Sequence, residues 1–281
     1  MVIPPAWEDV WISPEPDSHL LATGLDEAGR RQYLYHPAWR LEADRVKFAR
    51  LAGFGRGLER IRKRVERDMN ADGSDQLCAL AVRLIDRALI RPGGHRPSPT
   101  LAVGASTLGP DTVRLHRGRI ILDFVGKSGV EHHIEFLDRK LATAIAARLD
   151  DVDDDAPLFQ RPDDGAIDAA RLNRYLAETT KGPWTAKDLR TFGGTVVVVE
   201  SLAAAASVQT TESATGDDTV REAIAAAAGA LGNTVAVCRS SYVAPAVIDA
   251  FHDGRLAACW KRTRRGTWLT RAERATDRLL A

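Results

Sequence analysis

The sequence predicts an α+β fold, with a small antiparallel β-rich N-terminal domain and a larger, mainly α-helical domain that contains a β-hairpin. Residues 1–42 are rich in Pro, Trp and Gly and contain short alternating stretches. From about Leu41 onward, apolar residues recur instead at helical spacing. A second β-rich region, residues 100–138, interrupts the helical part. We therefore predict two domains, over residues 1–42 and 43–281.

Composition describes a globular protein large enough to bury a core. The chain has 281 residues, of which 44% are hydrophobic and 27% charged. No uninterrupted apolar run reaches the roughly 20 residues that span a membrane, and the N-terminus lacks the plan of a signal peptide. Because Cys78, Cys238 and Cys259 have no paired spacing, we expect neither a disulfide framework nor a zinc site.

Charge is unevenly distributed although the net charge is only +1. Residues 56–67 and 261–278 are basic, and residues 150–155 form an acidic run. This segregation fits a surface that binds a polyanion, but it equally fits two solvated helix faces and a loop. Charge alone favours neither interpretation.

The β-rich start contains two recognisable strands. Trp7–Ile12 and Arg30–Tyr35 alternate between apolar and polar residues and are separated by turn-forming Pro, Asp and Gly. Two strands are too few for independent stability. A helical pattern then runs from about Leu41 to Ile61, interrupted by glycines that match neither a P-loop nor a dinucleotide-binding fingerprint.

A second helix of the larger domain is predicted over residues 76–90 and ends at Arg91-Pro-Gly-Gly. Alternating segments at 113–116, 119–126 and 132–136 predict a β-hairpin that carries Lys127 at its tip. The rest is predicted to be helical, over residues 140–149, 168–180, 185–206, 217–230, 234–241 and 245–253. Thr195–Glu200 has strand propensity, but its helical flanks predict a buried helix.

Tyr242 is the candidate centre of chemistry in the C-terminal region. It precedes Pro245, which suits the first turn of a helix. The ordinary interpretation is a tyrosine half-buried between helices. A nucleophilic phenol would instead need cationic neighbours that stabilise both its anion and an anionic substrate.

Four cationic residues stand where local structure would hold them. Arg91 ends an apolar helix, Lys127 lies on a hairpin tip, and Lys187 and Arg190 follow a predicted helix start at Thr185. A helix N-terminus favours an anion through its free N–H groups and its dipole. Each cation also has an ordinary explanation, as a helix C-terminal charge, a turn lysine or surface charge. Their order along the chain, together with the tyrosine, makes the functional interpretation the stronger one.

This order, with Asn233 before Tyr242, resembles the type IB DNA topoisomerases, particularly the small bacterial and poxvirus-type enzymes. The resemblance includes the motif Lys187-x-x-Arg190 and runs almost from end to end, in segments 3–12, 29–37, 89–93, 124–129, 186–195 and 231–242. It implies that the larger domain is a catalytic domain with the fold shared by tyrosine recombinases and type IB topoisomerases.

The resemblance also implies roles for the catalytic residues. Tyr242 would attack duplex DNA and form a 3′-phosphotyrosyl link. Arg91 and Arg190 would hold the non-bridging oxygens of the transition state, and Lys127 would protonate the leaving 5′-oxygen. Asn233 stands where poxviral relatives carry histidine, and its amide would donate a hydrogen bond without adding charge.

Further expectations follow from the resemblance. The phosphotyrosine retains the bond energy, so the reaction would relax supercoils without ATP, metal or cofactor. Duplex DNA is the expected partner, contacted also by Lys187 and by Arg30, Arg31, Gln32 and Tyr33 of the N-terminal domain. We expect a monomeric clamp, cytoplasmic and associated with the nucleoid. The N-terminal sheet is expected to be incomplete, and the loop over residues 94–102 to differ from that of relatives.

Two other functions stay open. A tyrosine recombinase shares the catalytic fold and the nucleophile, but usually carries His-x-x-Arg and a helical N-terminal domain. Lys187-x-x-Arg190 and the β-rich start favour the topoisomerase. A DNA-binding descendant with weakened catalysis is the second alternative, although Arg91, Lys127, Arg190 and Tyr242 are all present, which binding alone would not require.

Overall fold

The computed structural model contains two compact units, one ending at Arg50 and the other beginning at Leu51. The sequence predicts the boundary at residue 42, which lies inside the helix over residues 37–49 of the first unit. The structure describes residues 2–71, 73–94, 103–161, 165–208 and 216–281. Most of the loop expected to differ after Arg91, residues 95–102, lies outside these ranges.

The N-terminal unit is a three-stranded antiparallel sheet followed by one helix. Strands β1 (Glu8–Ile12), β2 (Leu20–Leu25) and β3 (Arg31–Tyr35) lie in the order β1-β2-β3. Helix α1 (Pro37–Ala49) has Pro37 in its first turn. The two predicted strands are present, but the sequence missed the central strand, because its three consecutive buried positions break the alternation.

The helical pattern from Leu41 to Ile61 is divided between α1 and α2 (Phe54–Asp68). Gly53 precedes α2 with φ +74°, a conformation that favours glycine, so the chain turns here instead of continuing one helix. Arg62 in α2 pairs with Asp86 at 2.8 Å and with Glu273 at 2.6 Å. Other cations of α2 also pair with carboxylates of the same unit: Lys63, Arg64 and Arg67. Much of this basic segment therefore stabilises the unit itself.

The large unit continues with α3 (Ser74–Ala88) and a second antiparallel sheet. Strands β4 (Val113–His116), β5 (Arg119–Val125) and β6 (Glu131–Leu137) lie in the order β4-β5-β6, so the predicted hairpin is confirmed. Helix α4 (Arg139–Asp151) follows, and the short strands β7 (Gln160–Arg161) and β8 (Gly165–Ala166) pair with each other.

Seven helices complete the described part of the large unit: α5 (Ala169–Thr180), α6 (Ala186–Val208), α7 (Gly216–Leu231), α8 (Val235–Tyr242), α9 (Pro245–His252), α10 (Arg255–Arg262) and α11 (Arg271–Leu280). Thr195–Glu200 lies inside α6, as predicted. The sequence missed α10 and α11, which occupy much of the second basic segment. Thr270 and Glu273 form a capping box at the start of α11. The α+β fold class is therefore confirmed.

Helix α6 lies at the centre of the large unit. It contacts α3, α5, α7, α8, α9, α10 and α11, and Val198, Val199 and Leu202 are fully buried in the shared core. By length and hydropathy, Ala186–Ser207 could cross a membrane, although no uninterrupted apolar run of that length is expected from the sequence. Thr195 and Glu200 interrupt such a run in this helix. The surrounding helices show that the hydrophobicity of α6 is that of a core helix.

Candidate active site

Arg190 is a buried cation held by the ends of two helices. It is only 1% exposed. Its Nη1 donates to the carbonyl of Leu89, which caps α3, and its Nη2 donates to that of Leu231, the last residue of α7, at 3.1 Å. Helix C-terminal carbonyls carry partial negative charge and so favour a guanidinium. The side chain is therefore fixed in place by the fold itself.

Asn233 is placed by the end of α7. The N–H of Asn233 donates to the carbonyl of Ala228, and that of Gly232 donates to Gly229, the two bonds of a Schellman motif. Gly232 has φ +60°, which favours glycine. The Oδ1 atom of Asn233 then accepts a hydrogen bond of 2.7 Å from Nη2 of Arg91. The turn after α7 thereby places the Asn233 side chain against Arg91, which lies just after α3.

Tyr242 is the last residue of α8 and lies next to Arg190. The guanidinium carbon of Arg190 is 5.3 Å from the centre of the Tyr242 ring, within cation–π range. Thr195 in α6 holds the backbone around the tyrosine: its Oγ1 accepts from Ala244 N–H at 3.2 Å and donates either to the Tyr242 carbonyl at 3.1 Å or to the Thr191 carbonyl at 2.9 Å. Pro245 begins α9, as predicted.

The electrostatics of Arg190 reflect its burial beside a second arginine. Burial lowers the pKa of Arg190 to about 10, with the charge of Arg91 acting in the same direction and Tyr242 opposing it. The guanidinium stays protonated at neutral pH. The Nε atom of Arg190 and the Nδ2 atom of Asn233 are both buried, and neither has a hydrogen-bond partner among the described residues. These N–H groups are suited to an anionic oxygen.

Lys127 makes no hydrogen bond or ion pair with this cluster among the described residues. It is exposed in the short turn Lys127–Gly129 at the tip of the β5–β6 hairpin, as the sequence predicts. No hydrogen bond or ion pair to its Nζ is found within the described part of the chain. The structure thus brings together Arg91, Arg190, Asn233 and Tyr242, and leaves Lys127 on an exposed tip.

Lys187 and Arg190 differ in their surroundings although both lie in the first turns of α6. Lys187 is exposed, whereas Arg190 is buried. The anion at the N-terminus of α6 is the carboxylate of Asp188, which accepts from the N–H and the hydroxyl of Thr185, both at 2.8 Å. The expected helix-end anion site is thus satisfied by the protein's own side chain.

The predicted DNA-contacting residues lie on and beside β3, and several are paired internally. Arg30 contacts Asp26 at 2.8 Å, and Gln32 donates to the same carboxylate at 2.8 Å. The hydrogen bonds from Arg30 lower the pKa of Asp26 to about 2. Arg31 contacts Asp9 at 3.2 Å, and half-exposed Tyr33 stacks on Tyr35.

Two residues at the site were missed by sequence reasoning. The sequence predicts Thr195 only as part of a buried helix and His132 only as part of a strand. The His132 ring lies beside Gly232, and the nearby charges of Arg91 and Arg190 act on it. Alternation along β6 places His132 on the inward face, which is the one signal that could have identified it. Within the described ranges, no group of three or more His, Cys, Asp or Glu side chains is arranged to hold a metal ion.

Comparison with known proteins identifies the class of this fold and site. Residues 36–257 match the family described as eukaryotic DNA topoisomerase I, catalytic core. Residues 1–26 match the N-terminal domain of bacterial DNA topoisomerase IB. The chain is a type IB topoisomerase, an enzyme of the isomerase class.

A viral relative and two solved structures are similar to this chain. The chain is 28% identical over 263 residues to DNA topoisomerase 1B of Acanthamoeba polyphaga mimivirus, covering 89% of this chain and 78% of that protein. The XerH site-specific recombinase bound to palindromic difH, in a post-cleavage complex, gives a TM-score of 0.48 at 14% identity and covers 73% of this chain. Its pre-cleavage complex gives 0.47 at 14% identity and 71% coverage. This chain spans 51% and 52% of those recombinase chains. It belongs to the DNA topoisomerase I catalytic-core family and also carries the match to the bacterial N-terminal domain.

Proposed function

We propose that this enzyme relaxes supercoiled duplex DNA by cutting one strand transiently through Tyr242. The observation that carries the proposal is the juxtaposition of a tyrosine with Arg91, Arg190 and Asn233, in which buried N–H groups of Arg190 and Asn233 have no partner among the described residues. A phosphate offers non-bridging oxygens that would accept these hydrogen bonds. Membership of the topoisomerase family supports the same conclusion.

The cleavage step is a transesterification. The Tyr242 phenol releases its proton to water, its oxygen forms a bond to the phosphorus as the P–O5′ bond breaks, and the 3′ phosphate remains linked to the tyrosine. Arg91 and Arg190 stabilise the added negative charge on the non-bridging oxygens. Asn233 donates one hydrogen bond and holds Arg91. Arg190, beside the ring, also stabilises the phenolate.

Lys127 is proposed to donate the proton that the departing 5′-oxygen needs. Its exposed position on a hairpin tip is suited to a group that approaches bound DNA. After the cut strand has rotated, the 5′-hydroxyl attacks the phosphotyrosine, and Lys127 takes the proton back. Because the covalent link conserves the bond energy, neither ATP nor a metal ion takes part. We propose that the enzyme acts as a cytoplasmic monomer associated with the nucleoid.

DNA contacts outside the cluster are assigned to Lys187 and to Arg30, Arg31, Gln32 and Tyr33. Lys187 is exposed and lies one turn of α6 before Arg190. On the N-terminal unit, Arg31 and Tyr33 share one exposed strand face. Phosphate contacts of this kind hold an enzyme on DNA without reading sequence, so binding should weaken with salt.

The test is relaxation of supercoiled plasmid in EDTA without ATP, comparing the wild type with Tyr242→Phe. The wild type should relax the plasmid, and the variant should not. Failure of the wild type would reject the enzymatic proposal, relaxation by both would reject Tyr242, and activity that requires a metal would reject the metal-free mechanism. An adduct on the 5′ phosphate would contradict the assigned polarity. Exchange of strands between two DNA sites would indicate a recombinase.

A further inference from the structure

His132 occupies the inward face of β6 and stacks on its cross-strand neighbour. It is paired with Phe124 in the β5–β6 register, and the two rings lie 4.7 Å apart and nearly parallel, at 9°. Its sequence neighbour His133 points to the opposite face, is exposed and pairs with Asp123 at 2.6 Å. The two histidines therefore have different surroundings on one strand.

The His132 ring fills the space between two glycines from separate elements. A Cβ atom at Gly126, in the hairpin, would lie 2.6 Å from His132 Nε2. A Cβ atom at Gly232, in the α7–α8 turn, would overlap the edge of the same ring. Gly126 immediately precedes Lys127, and Gly232 immediately precedes Asn233. One imidazole thus connects the segment that bears Lys127 to the turn that bears Asn233.

Burial and nearby positive charge both disfavour the protonated form of this imidazole. Burial lowers the pKa of His132 below its ordinary value, and the positive charges of Arg91 and Arg190 lower it further. Its Nε2 atom is buried and has no hydrogen-bond partner among the described residues. The ring therefore acts here through its shape and its stacking, as a packed aromatic body.

We propose that His132 is a positioning residue that docks the β5–β6 hairpin on the α7–α8 turn and so holds Lys127 in place for proton transfer. This inference rests on the proposed role of Lys127 as the general acid. Lys127 Nζ has no hydrogen bond or ion pair within the described ranges, so its position depends on how the hairpin is held. The contact between His132 and Gly232 ties the hairpin to the cluster of Arg91 and Asn233.

A substrate with sulfur at the 5′-bridging position separates this role from others. When oxygen is the leaving atom, the P–O5′ bond breaks and the oxygen takes a proton from Lys127. When sulfur is the leaving atom, the P–S bond breaks and the thiolate departs without a proton, because thiols are far more acidic than alcohols. The sulfur substrate therefore removes the need for Lys127.

The experiment measures single-turnover cleavage of both substrates by the wild type and by His132→Ala, Lys127→Ala and His133→Ala. We expect His132→Ala to cleave the oxygen substrate about 10- to 100-fold more slowly, and the sulfur substrate at nearly the wild-type rate. Lys127→Ala should show the same pattern with a larger defect. The matched control His133→Ala should cleave both substrates like the wild type. The double variant His132→Ala with Lys127→Ala should be no slower than Lys127→Ala alone.

The outcomes distinguish the two proposals. If sulfur does not rescue Lys127→Ala, the general-acid assignment fails. If it rescues Lys127→Ala but not His132→Ala, or if His132→Ala cleaves the oxygen substrate normally, the docking inference is overturned. Should circular dichroism show His132→Ala to be unfolded, Gly126→Ala replaces it, because its φ of −89° accepts alanine while the added methyl group displaces the ring. Rescue of Gly126→Ala by sulfur would support the inference, and lack of rescue would overturn it.

Discussion

Thr195→Val tests how the fold positions the nucleophile. Thr195 is fully buried in α6. Its hydroxyl donates to the carbonyl of Thr191 at 2.9 Å or of Tyr242 at 3.1 Å, and accepts from Ala244 N–H at 3.2 Å. Valine has nearly the same shape without the oxygen, so the change removes these hydrogen bonds and creates no large cavity. The backbone of Tyr242 and of Ala244 then loses its hydrogen bonds to α6.

The expected stability loss follows from the groups left without partners. Ala244 is 1% exposed, so its N–H loses its partner in a buried position, which costs about 1–3 kcal/mol. Each kcal/mol lowers the melting temperature of a unit of this size by about 2–4 °C. Catalysis should suffer as well, because displacement of a reacting group by about 1 Å costs on the order of 100-fold in rate. We expect single-turnover cleavage to fall about 10- to 100-fold, with DNA affinity unchanged.

The assay combines thermal unfolding with single-turnover cleavage, and two variants control it. Thr195→Ser keeps the hydroxyl and should cleave at nearly the wild-type rate. Thr276→Val makes the same chemical change at another fully buried threonine, whose hydroxyl donates only to Ala272 within α11. That variant should lose stability but cleave normally. If Thr195→Val is destabilised yet cleaves like the wild type, Thr195 does not position Tyr242.

Two further predictions concern the charge network that stabilises the large unit. Asp138→Ala should destabilise it by about 1–3 kcal/mol, because it removes the two hydrogen bonds that Arg83 donates to Asp138 at 2.8 and 2.9 Å, while Arg83 keeps its pair with Glu66 at 3.0 Å. Asp123→Ala, at an exposed pair, should leave the melting temperature close to that of the wild type. Stability should also fall in acid. Burial acts to raise the pKa of Asp138 and Glu273, but hydrogen bonds from Arg83 and Arg62 outweigh it and hold both below their usual values. The stabilisation is therefore complete above the unfolded-state pKa of about 4 and is lost as pH falls through the lower folded-state pKa. Urea unfolding between pH 7 and pH 2 measures this loss, and the loss should be smaller in Asp138→Asn; an equal loss would exclude Asp138 as a source.

Local patterns were enough to predict most elements of the fold. Thr195–Glu200 has strand propensity, but the helical segments on both sides correctly predicted a helix there. Propensity summed over a long helix matters more than the preference of a few residues. The sequence did not predict strand β2, because Ala22, Thr23 and Gly24 are buried in succession and so show no alternation of apolar and polar residues. The sequence did not predict helix α11 because half of its ten side chains are charged. The capping box formed by Thr270 and Glu273 is the sequence feature that could have predicted the start of this helix.

The site shows a different limit. The positions of Arg91, Arg190 and Tyr242 could be proposed from their order along the chain, because that order is characteristic of a family. The role of Thr195 could not, because its hydroxyl reaches a residue 47 positions away. His132 likewise acquires its surroundings from Gly232, far along the sequence. Such contacts exist only after the helices have packed, so no local pattern encodes them.

Arg190 is buried and Lys127 is exposed, and this difference fits the role of each residue in the proposed reaction. Burying a guanidinium is costly, and the lowered pKa of Arg190 reflects that cost. The fold offsets it with carbonyls at the ends of α3 and α7, so this charge is in position before DNA binds and need not reorganise as the transition state forms. Lys127 has the opposite requirement, since a proton donor must reach an oxygen that departs and later returns. An exposed hairpin tip allows that approach, and the packing of His132 against Gly232 limits how far the tip can move. The buried arginine and the exposed lysine are therefore complementary parts of the proposed reversible reaction.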